Sequence, residues 1–302
     1  MTIPNITIRH LRYALCLFVY ACLLPAACIA SESSELFSTI KRYAEVANAT
    51  YLPEQAARGI IETQGYRLVQ YSNVPGLEVS YLVATNEALK HQIIAVRGTA
   101  NIDNAIVDIS LKLLPDEHAK IALHQGFAQA AEAVYKTVLP VLNKSYKIST
   151  TGHSLGGAVA VILGMYLDIN QYNLGPIITF GQPKVTNVRG ALAFQHLDIT
   201  RVVTSQDLVP LVPPLDAMDI NNLDIYWHLG KEIVLLKGPD YAVLEGVKSM
   251  MRATRVINTN LSQENLEHHQ MAGYLEQIAA KAKEARQVPY ETGIDLLKLF
   301  GR

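Results

Sequence analysis

One serine stands between two glycines in KISTTGHSLGGAVAVILG, residues 147–164. A serine hydroxyl is a weak nucleophile at neutral pH. It acts only beside a base that takes its proton and an acid that orients the base. Ser154 follows a β-branched run and precedes a small, apolar one. That context predicts a strand turning sharply into a helix, with the turn residue in a strained backbone conformation. Its neighbours two positions away, Gly152 and Gly156, then lie against other backbone and must be small. The turn lifts the Ser154 hydroxyl above the carboxyl end of a sheet. The N–H groups that follow, at the helix N-terminus, face any anion formed there.

On such an elbow the chain order is serine, acid, histidine. Asp207 ends the apolar run ITRVVTSQD and precedes LVPLVPP, so it is the candidate acid. Asp216, Asp219 and Asp224 fall in a polar stretch that reads as solvated loop. For the base, order leaves His228, His268 and His269 open, because His196 comes before the acid. His228 sits just before the strand-like KEIVLL, a position more often structural. His268 and His269 stand where a polar loop meets a helical pattern, which favours this pair, and His269 within it.

The elements that must position these groups are legible in outline. SSELFSTIKRYAEVANA (33–49) has helical periodicity, with Ser33 or Ser34 as cap. YRLVQYSN and LEVSYLVATN read as strands joined by a turn at Pro75-Gly76. Residues 91–99, 147–153, 176–184 and 199–207, together with KEIVLLKG, read as further strands. Residues 126–142 read as a helix stopping or kinking at Pro140, and the pattern turns helical from Asp240 onward. Several strands are continuous apolar runs, the signature of a sheet covered on both faces. The expected class is α/β, a mostly parallel central sheet with helices on both faces and in the crossovers.

Residues 1–30 differ from the rest: Arg9 and Arg12, then an apolar run from Tyr13, then small residues. This is the layout of a secretory signal, and the run is short for a membrane span. The expected organisation is a signal peptide over 1–30 and a single domain over 31–302. Uncleaved anchoring and lipidation at Cys28 are the alternatives. All three cysteines (Cys16, Cys22, Cys28) fall in this segment, which leaves the remainder without a disulfide or thiol nucleophile. A net charge of -1 argues against nucleic acid as a partner. No His-x-x-x-His or cysteine pair suggests zinc, so no metal or other cofactor is expected.

Taken together, these motifs resemble the class 3 lipase family, from about Tyr81 to Tyr274. IIAVRGTANIDNAIVDI is similar to the family's oxyanion strand and lid start, LHQGF to its His-x-Gly-Phe, and TGHSLGGA to its elbow. TFGQPKVTN and RVVTSQDLVPLVPP are similar to the segments leading into its aspartate, and YWHLGKEI to a Tyr-x-His-x-Gly element. The resemblance implies an α/β-hydrolase fold with Ser154 as nucleophile, Asp207 as acid and His269 as base, leaving His228 a different role. It implies an oxyanion hole at Thr99 and the Leu155 N–H, with Asp108 orienting the Thr99 hydroxyl. The lid position that is often a bulky aromatic corresponds to Ala105, which weakens the case for strong interfacial activation. Met250 and Met251 offer either a second apolar surface or core packing. The implied activity is hydrolysis of lipid carboxylic esters by a secreted enzyme at a membrane or droplet surface, with no protein partner. Phospholipase or lysophospholipase activity is the alternative, then feruloyl esters, and last a non-catalytic lipid-binding protein.

Overall fold

The computed structural model describes residues 32–75, 77, 79–99, 112–213, 225–253 and 267–290. The leader, the lid segment with Ala105 and Asp108, and Asp216, Asp219 and Asp224 lie outside them.

The chain opens with α1 (residues 32–49) and α2 (Glu54–Thr63), then strands β1 (Arg67–Asn73), β2 (Ser80–Asn86) and β3 (His91–Val96). Short strands β4 (Leu113–Pro115) and β5 (Ala122–His124) lead into α3 (Gln125–Val138). There follow β6 (Lys147–His153), α4 (Leu155–Ile169), β7 (Leu174–Phe180), β8 (Thr186–Asn187), α5 (Val188–Ala193) and β9 (Ile199–Thr204). The remainder comprises β10 (Tyr226–Trp227), β11 (Lys231–Leu235), β12 (Asp240–Leu244), α6 (Gly246–Ala253), α7 (Met271–Lys283) and β13 (Arg286–Gln287).

Nine strands form one sheet in the order β1-β2-β3-β6-β7-β9-β11-β12-β13. Its centre, from β3 to β11, is parallel, whereas β1–β2, β2–β3 and β11–β12 pair antiparallel. This is the α/β-hydrolase arrangement, a mostly parallel sheet covered by helices. A smaller four-stranded sheet has the order β10-β8-β5-β4.

The continuous apolar strands are explained by two cores, one on each face. Ile94 and Val96 of β3 join α3 and α4 in one core, with Phe127, Val134, Val159 and Leu163. Ile93 and Ala95 of the same strand face the other, with Phe37 and Ile40 of α1, Ile61 of α2, and Tyr274 and Ile278 of α7. Alternate residues therefore bury on opposite faces, and no polar alternation survives.

Three differences from the sequence reading have a common origin. The strands expected to reach Thr99, Lys184 and Asp207 stop at Val96, Phe180 and Thr204. The residues beyond, RGT, GQPK and SQD, run on directly from apolar strands in the sequence but bend away at the sheet's carboxyl edge. The stretch after Asp240 opens as strand β12, not helix, because Gly238 at φ +64 turns the chain back and DYAVL pairs with β11. Ser33 lies within α1 rather than serving as its described cap, and its hydroxyl meets the Tyr241 hydroxyl at 2.9 Å. As expected, the helix of α3 yields at Pro140, to a 3-10 turn over Leu139–Val141. Met250 is buried against Leu211, the packing role and not the surface one. No described helix is long and apolar enough to cross a membrane.

Several histidines are held neutral inside this fold. Burial, with Lys147 and Arg42 nearby, pulls His91 down to about 4, and burial pulls His124 to about 4 as well. Between an ordinary 6.5 and about 4 the unfolded chain binds protons that these folded imidazoles refuse. Their contribution to stability is full above that window and is lost as pH falls through it. Thermal denaturation should therefore show Tm falling on acidification below about 6.5. A midpoint unchanged down to about pH 4 would contradict the neutral, buried assignment.

Candidate active site

The elbow is a problem of backbone proximity. A Cβ on Gly152 would lie 2.3 Å from the Gly156 carbonyl oxygen, and one on Gly156 would lie 2.1 Å from the Val96 carbonyl oxygen. Neither position can carry a side chain, so strand β6, helix α4 and the end of β3 meet at van der Waals contact. The turn itself falls on Ser154, at φ 58 and ψ -132. Such a conformation in a non-glycine residue costs roughly 1–3 kcal/mol and persists only where the surroundings hold it. Part of that hold is the Ser154 N–H, which donates to the Phe180 carbonyl at 2.8 Å. Leu155 opens α4, and the first-turn N–H groups of a helix have no partner within it.

The end of β3 approaches from the other side. A Cβ on Gly98 would stand 2.7 Å from the His153 carbonyl oxygen and 3.0 Å from the Ser154 Cβ. Glycine there lets the chain pass the elbow and deliver Thr99 beside it. Thr99 follows Gly98 and Leu155 follows Ser154 in the chain, so both lie next to the elbow, while Asp108 is outside the described residues.

Asp207 is fully buried just beyond β9. Its Oδ2 accepts from His269 Nδ1 at 2.7 Å and from the Tyr274 hydroxyl at 2.5 Å. Its Oδ1 accepts from the Val209 N–H at 2.9 Å. Of the adjacent histidines it is His269, in the turn before α7, that reaches the carboxylate. The Nδ1–H bond to Asp207 leaves Nε2 of the neutral ring as the basic nitrogen. That Nε2 is buried and makes no hydrogen bond. Burial, reinforced by the Asp207 charge, keeps the Tyr274 hydroxyl protonated far above its ordinary range, so it remains a donor.

His228 is placed elsewhere. Its Nε2 donates to the Pro210 carbonyl at 2.6 Å. Burial, with Arg201 and Lys184 beside it, holds the ring neutral. It braces the loop after Asp207 and does not approach it as a base.

Two features of the site escaped the sequence reading. Gly181 has φ +58, and a Cβ on it would lie 2.7 Å from His269 Cε1 and 3.0 Å from Asp207 Oδ2. It is glycine so that the acid and the imidazole can meet. Tyr274 is the second: nothing local in YLEQIAAK marks its hydroxyl as a carboxylate partner. A cavity of about 320 Å³ opens beside His269, lined by Thr99, Asn48, Tyr51, Gln270 and Met271. Among the described residues no cluster of histidine, cysteine or carboxylate side chains could hold a metal ion.

Comparisons with known proteins return lipases. Residues 93–217 match the family model "Lipase (class 3)". The chain is 32% identical over 175 residues to Secreted mono- and diacylglycerol lipase 1 of Fusarium solani, covering 54% of this chain and 50% of that protein. It is 34% identical over 145 residues to a lipase of Rhizopus niveus, covering 44% of this chain and 37% of that one. It therefore spans half or less of the length of these relatives. The crystal structure of Lip2 lipase from Yarrowia lipolytica superposes with a TM-score of 0.57 at 25% identity, covering 68% of this chain and 80% of that one. A lipase from Rhizopus microsporus var. chinensis gives 0.56 at 26%, over 67% and 75%. The family that the motifs resembled is thus the one the comparisons return: residues 93–217, which carry the elbow and Asp207, match the class 3 lipase model, and the fold is that of the α/β-hydrolase lipases.

Proposed function

We propose that the protein is a serine hydrolase that cleaves carboxylic esters of lipids, acylglycerols first among them, through an acyl-enzyme. The observation that carries this reading is the buried Asp207–His269 pair at 2.7 Å, with Nε2 unbonded, beside a strained serine elbow. His269 Nε2 takes the Ser154 proton as Oγ attacks the acyl carbonyl. The oxyanion is received by the N–H groups of Thr99 and Leu155, where loss of one donor costs about 3 kcal/mol. The imidazolium, stabilised by Asp207, then gives its proton to the leaving alcohol oxygen. Water repeats the cycle and releases the fatty acid. The chemistry uses side chains and backbone alone and draws on no cofactor.

The substrate class rests on the relatives, named as lipases, one of them a secreted mono- and diacylglycerol lipase. Export through the segment 1–30 fits the same picture and is part of the proposal, as is one catalytic domain after it.

Ser154→Ala should fold normally and lose on the order of 10⁴-fold in p-nitrophenyl ester hydrolysis. Retained activity would end the assignment. A panel of acylglycerol, phospholipid and feruloyl esters ranks the substrate classes, and preference for either of the latter two would displace the acylglycerol reading.

Gly181→Ala tests the Asp–His contact without touching a functional side chain. The added methyl must separate Asp207 from His269, and a displacement of about 1 Å costs on the order of 10²-fold in rate. Steady-state kinetics with a soluble ester should show that loss mainly in kcat; parental kcat would mean the contact is dispensable.

A further inference from the structure

The residue before the nucleophile, His153, is buried and takes no part in the chemistry just described. Both its nitrogens are nevertheless engaged. Nε2 lies 2.7 Å from the carbonyl oxygen of His269, and Nδ1 lies 2.8 Å from the hydroxyl of Tyr51. A carbonyl only accepts, so Nε2 carries the proton. Nδ1 of the neutral ring is then an acceptor, and the Tyr51 hydroxyl must donate to it. The same hydroxyl oxygen accepts the Gly98 N–H at 3.1 Å. Every direction in the chain is thereby set: Gly98 N–H to Tyr51, Tyr51 O–H to His153 Nδ1, and His153 Nε2–H to the His269 carbonyl.

These three contacts join segments far apart in sequence. Tyr51 stands just after α1, Gly98 follows the end of β3, His153 belongs to the elbow, and His269 lies in the turn before α7. We infer that Tyr51 and His153 are positioning residues that hold the oxyanion segment, the serine elbow and the backbone of the base His269 in one register. The inference rests on the proposed roles of Ser154, Thr99 and His269.

The surroundings favour a fixed chain over a mobile one. Burial and the His269 ring beside it hold His153 neutral, so it does not acquire a second N–H that would repel the Tyr51 donor. Burial pushes the Tyr51 hydroxyl up to about 12, so it keeps its proton. The His153 and His269 rings lie 4.5 Å apart, so a shift of either residue would be felt by the other. The Gly98 contact is close as well: a Cβ there would fall 2.5 Å from the Tyr51 hydroxyl. Because Thr99 follows Gly98 directly, any play at Gly98 moves the oxyanion donor.

The test is kinetic and is normalised to competent sites. Tyr51→Phe keeps the ring and removes only the hydroxyl, breaking two of the three bonds. His153→Ala removes both arms, and His153→Gln returns an N–H near the Nε2 position. Each variant is titrated to completion with a fluorophosphonate that labels Ser154, and kcat and KM for a soluble p-nitrophenyl ester are expressed per labelled site. Tyr51→Phe is expected to lose about tenfold in kcat per labelled site with KM within about twofold, and His153→Ala about 10²-fold. His153→Gln is expected to recover part of the latter loss. Residues that merely stabilise the fold would lower Tm and the labelled fraction while leaving kcat per labelled site at the parental value, and that result would overturn the inference. Should His153→Ala fail to fold, Tyr51→Phe decides alone. A parent enzyme that labels normally while the variants keep full kcat sinks only this inference. A parent that does not label at Ser154 sinks the serine-hydrolase reading and this inference with it.

Discussion

The contact of three backbones, at Gly152, Gly156 and Val96, is the constraint on which the rest of the architecture depends. It brings helix α4 so close to strands β3 and β6 that no side chain fits between them. It also places the one residue with room to turn, Ser154, at positive φ. The strain stored there is small against what holds it. Helix α4 is buried almost along its whole length, within a core that also takes in α3 and alternate residues of the central strands. At about 25 cal/mol per Å² of apolar surface removed from water, a helix of this kind contributes several times the cost of one unfavourable backbone angle. A surface helix with one apolar stripe would offer much less. The apolar character of VAVILGMYL is thus what makes a strained serine tolerable.

A second buried system governs the acid. Three carbonyls of the loop after Asp207 accept from buried donors: Pro210 from His228, and Leu211 and Pro213 from the Lys184 ammonium at 2.7 Å each. Behind them Glu232 is surrounded by Arg252, Arg201 and Ser249. Burial alone would push the Glu232 carboxyl up, but the two guanidinium groups outweigh it and hold the carboxyl below its ordinary value. Lys184 shows the opposite balance: burial and its cationic neighbours bring it down to about 7. A buried ion cluster of this kind contributes little net stability, since desolvation offsets the attraction. What it supplies is direction. Loop carbonyls that would otherwise be unsatisfied at the sheet edge are given one set of partners, and Asp207 is held by the chain that follows it.

The parts of this structure legible in sequence are those specified by neighbouring residues. The elbow could be read because strand, glycines, serine and small-residue helix are contiguous. The double-sided sheet could be read because burial on both faces erases alternation within a single strand. Asp207 stands out because it lies just past such a run and before a proline-rich loop. Legibility fails where a requirement comes from a distant segment. Nothing near Gly181 announces that the space it leaves is filled by His269 and Asp207. Nothing near Tyr51 announces a bond to His153, 102 residues away. The strand ends were overrun for the same reason: where β3, β7 and β9 leave the ladder is set by pairing with neighbouring strands, which the residues at 97–99, 181–184 and 205–207 do not announce. Strand β12 was hidden because only its pairing with β11 across Gly238 distinguishes it from the helix that follows.

The division between contiguous and distant constraints also separates the two halves of the site. The matched family segment, 93–217, contains the elbow, the end of β3 and Asp207, whereas His269 and Tyr274 come after it and Tyr51 before it. The elbow can form as soon as the parallel strands and α4 pack, since its contacts are local to that sheet. The base is different. Its ring is held by Asp207 across 62 residues, and its backbone by His153 across 116. Contacts of such separation carry a loop-closure cost that grows slowly with length, so the cost is bearable only once both ends are already fixed. Helix α7 meets that condition by burying Met271, Tyr274 and Ile278 in the second core, against the helices of the N-terminal segment. His269 is therefore held beside the elbow, its carbonyl on His153, only where the second face of the sheet is covered. The serine elbow borders one core and His269 the other, and the two are held together through the sheet.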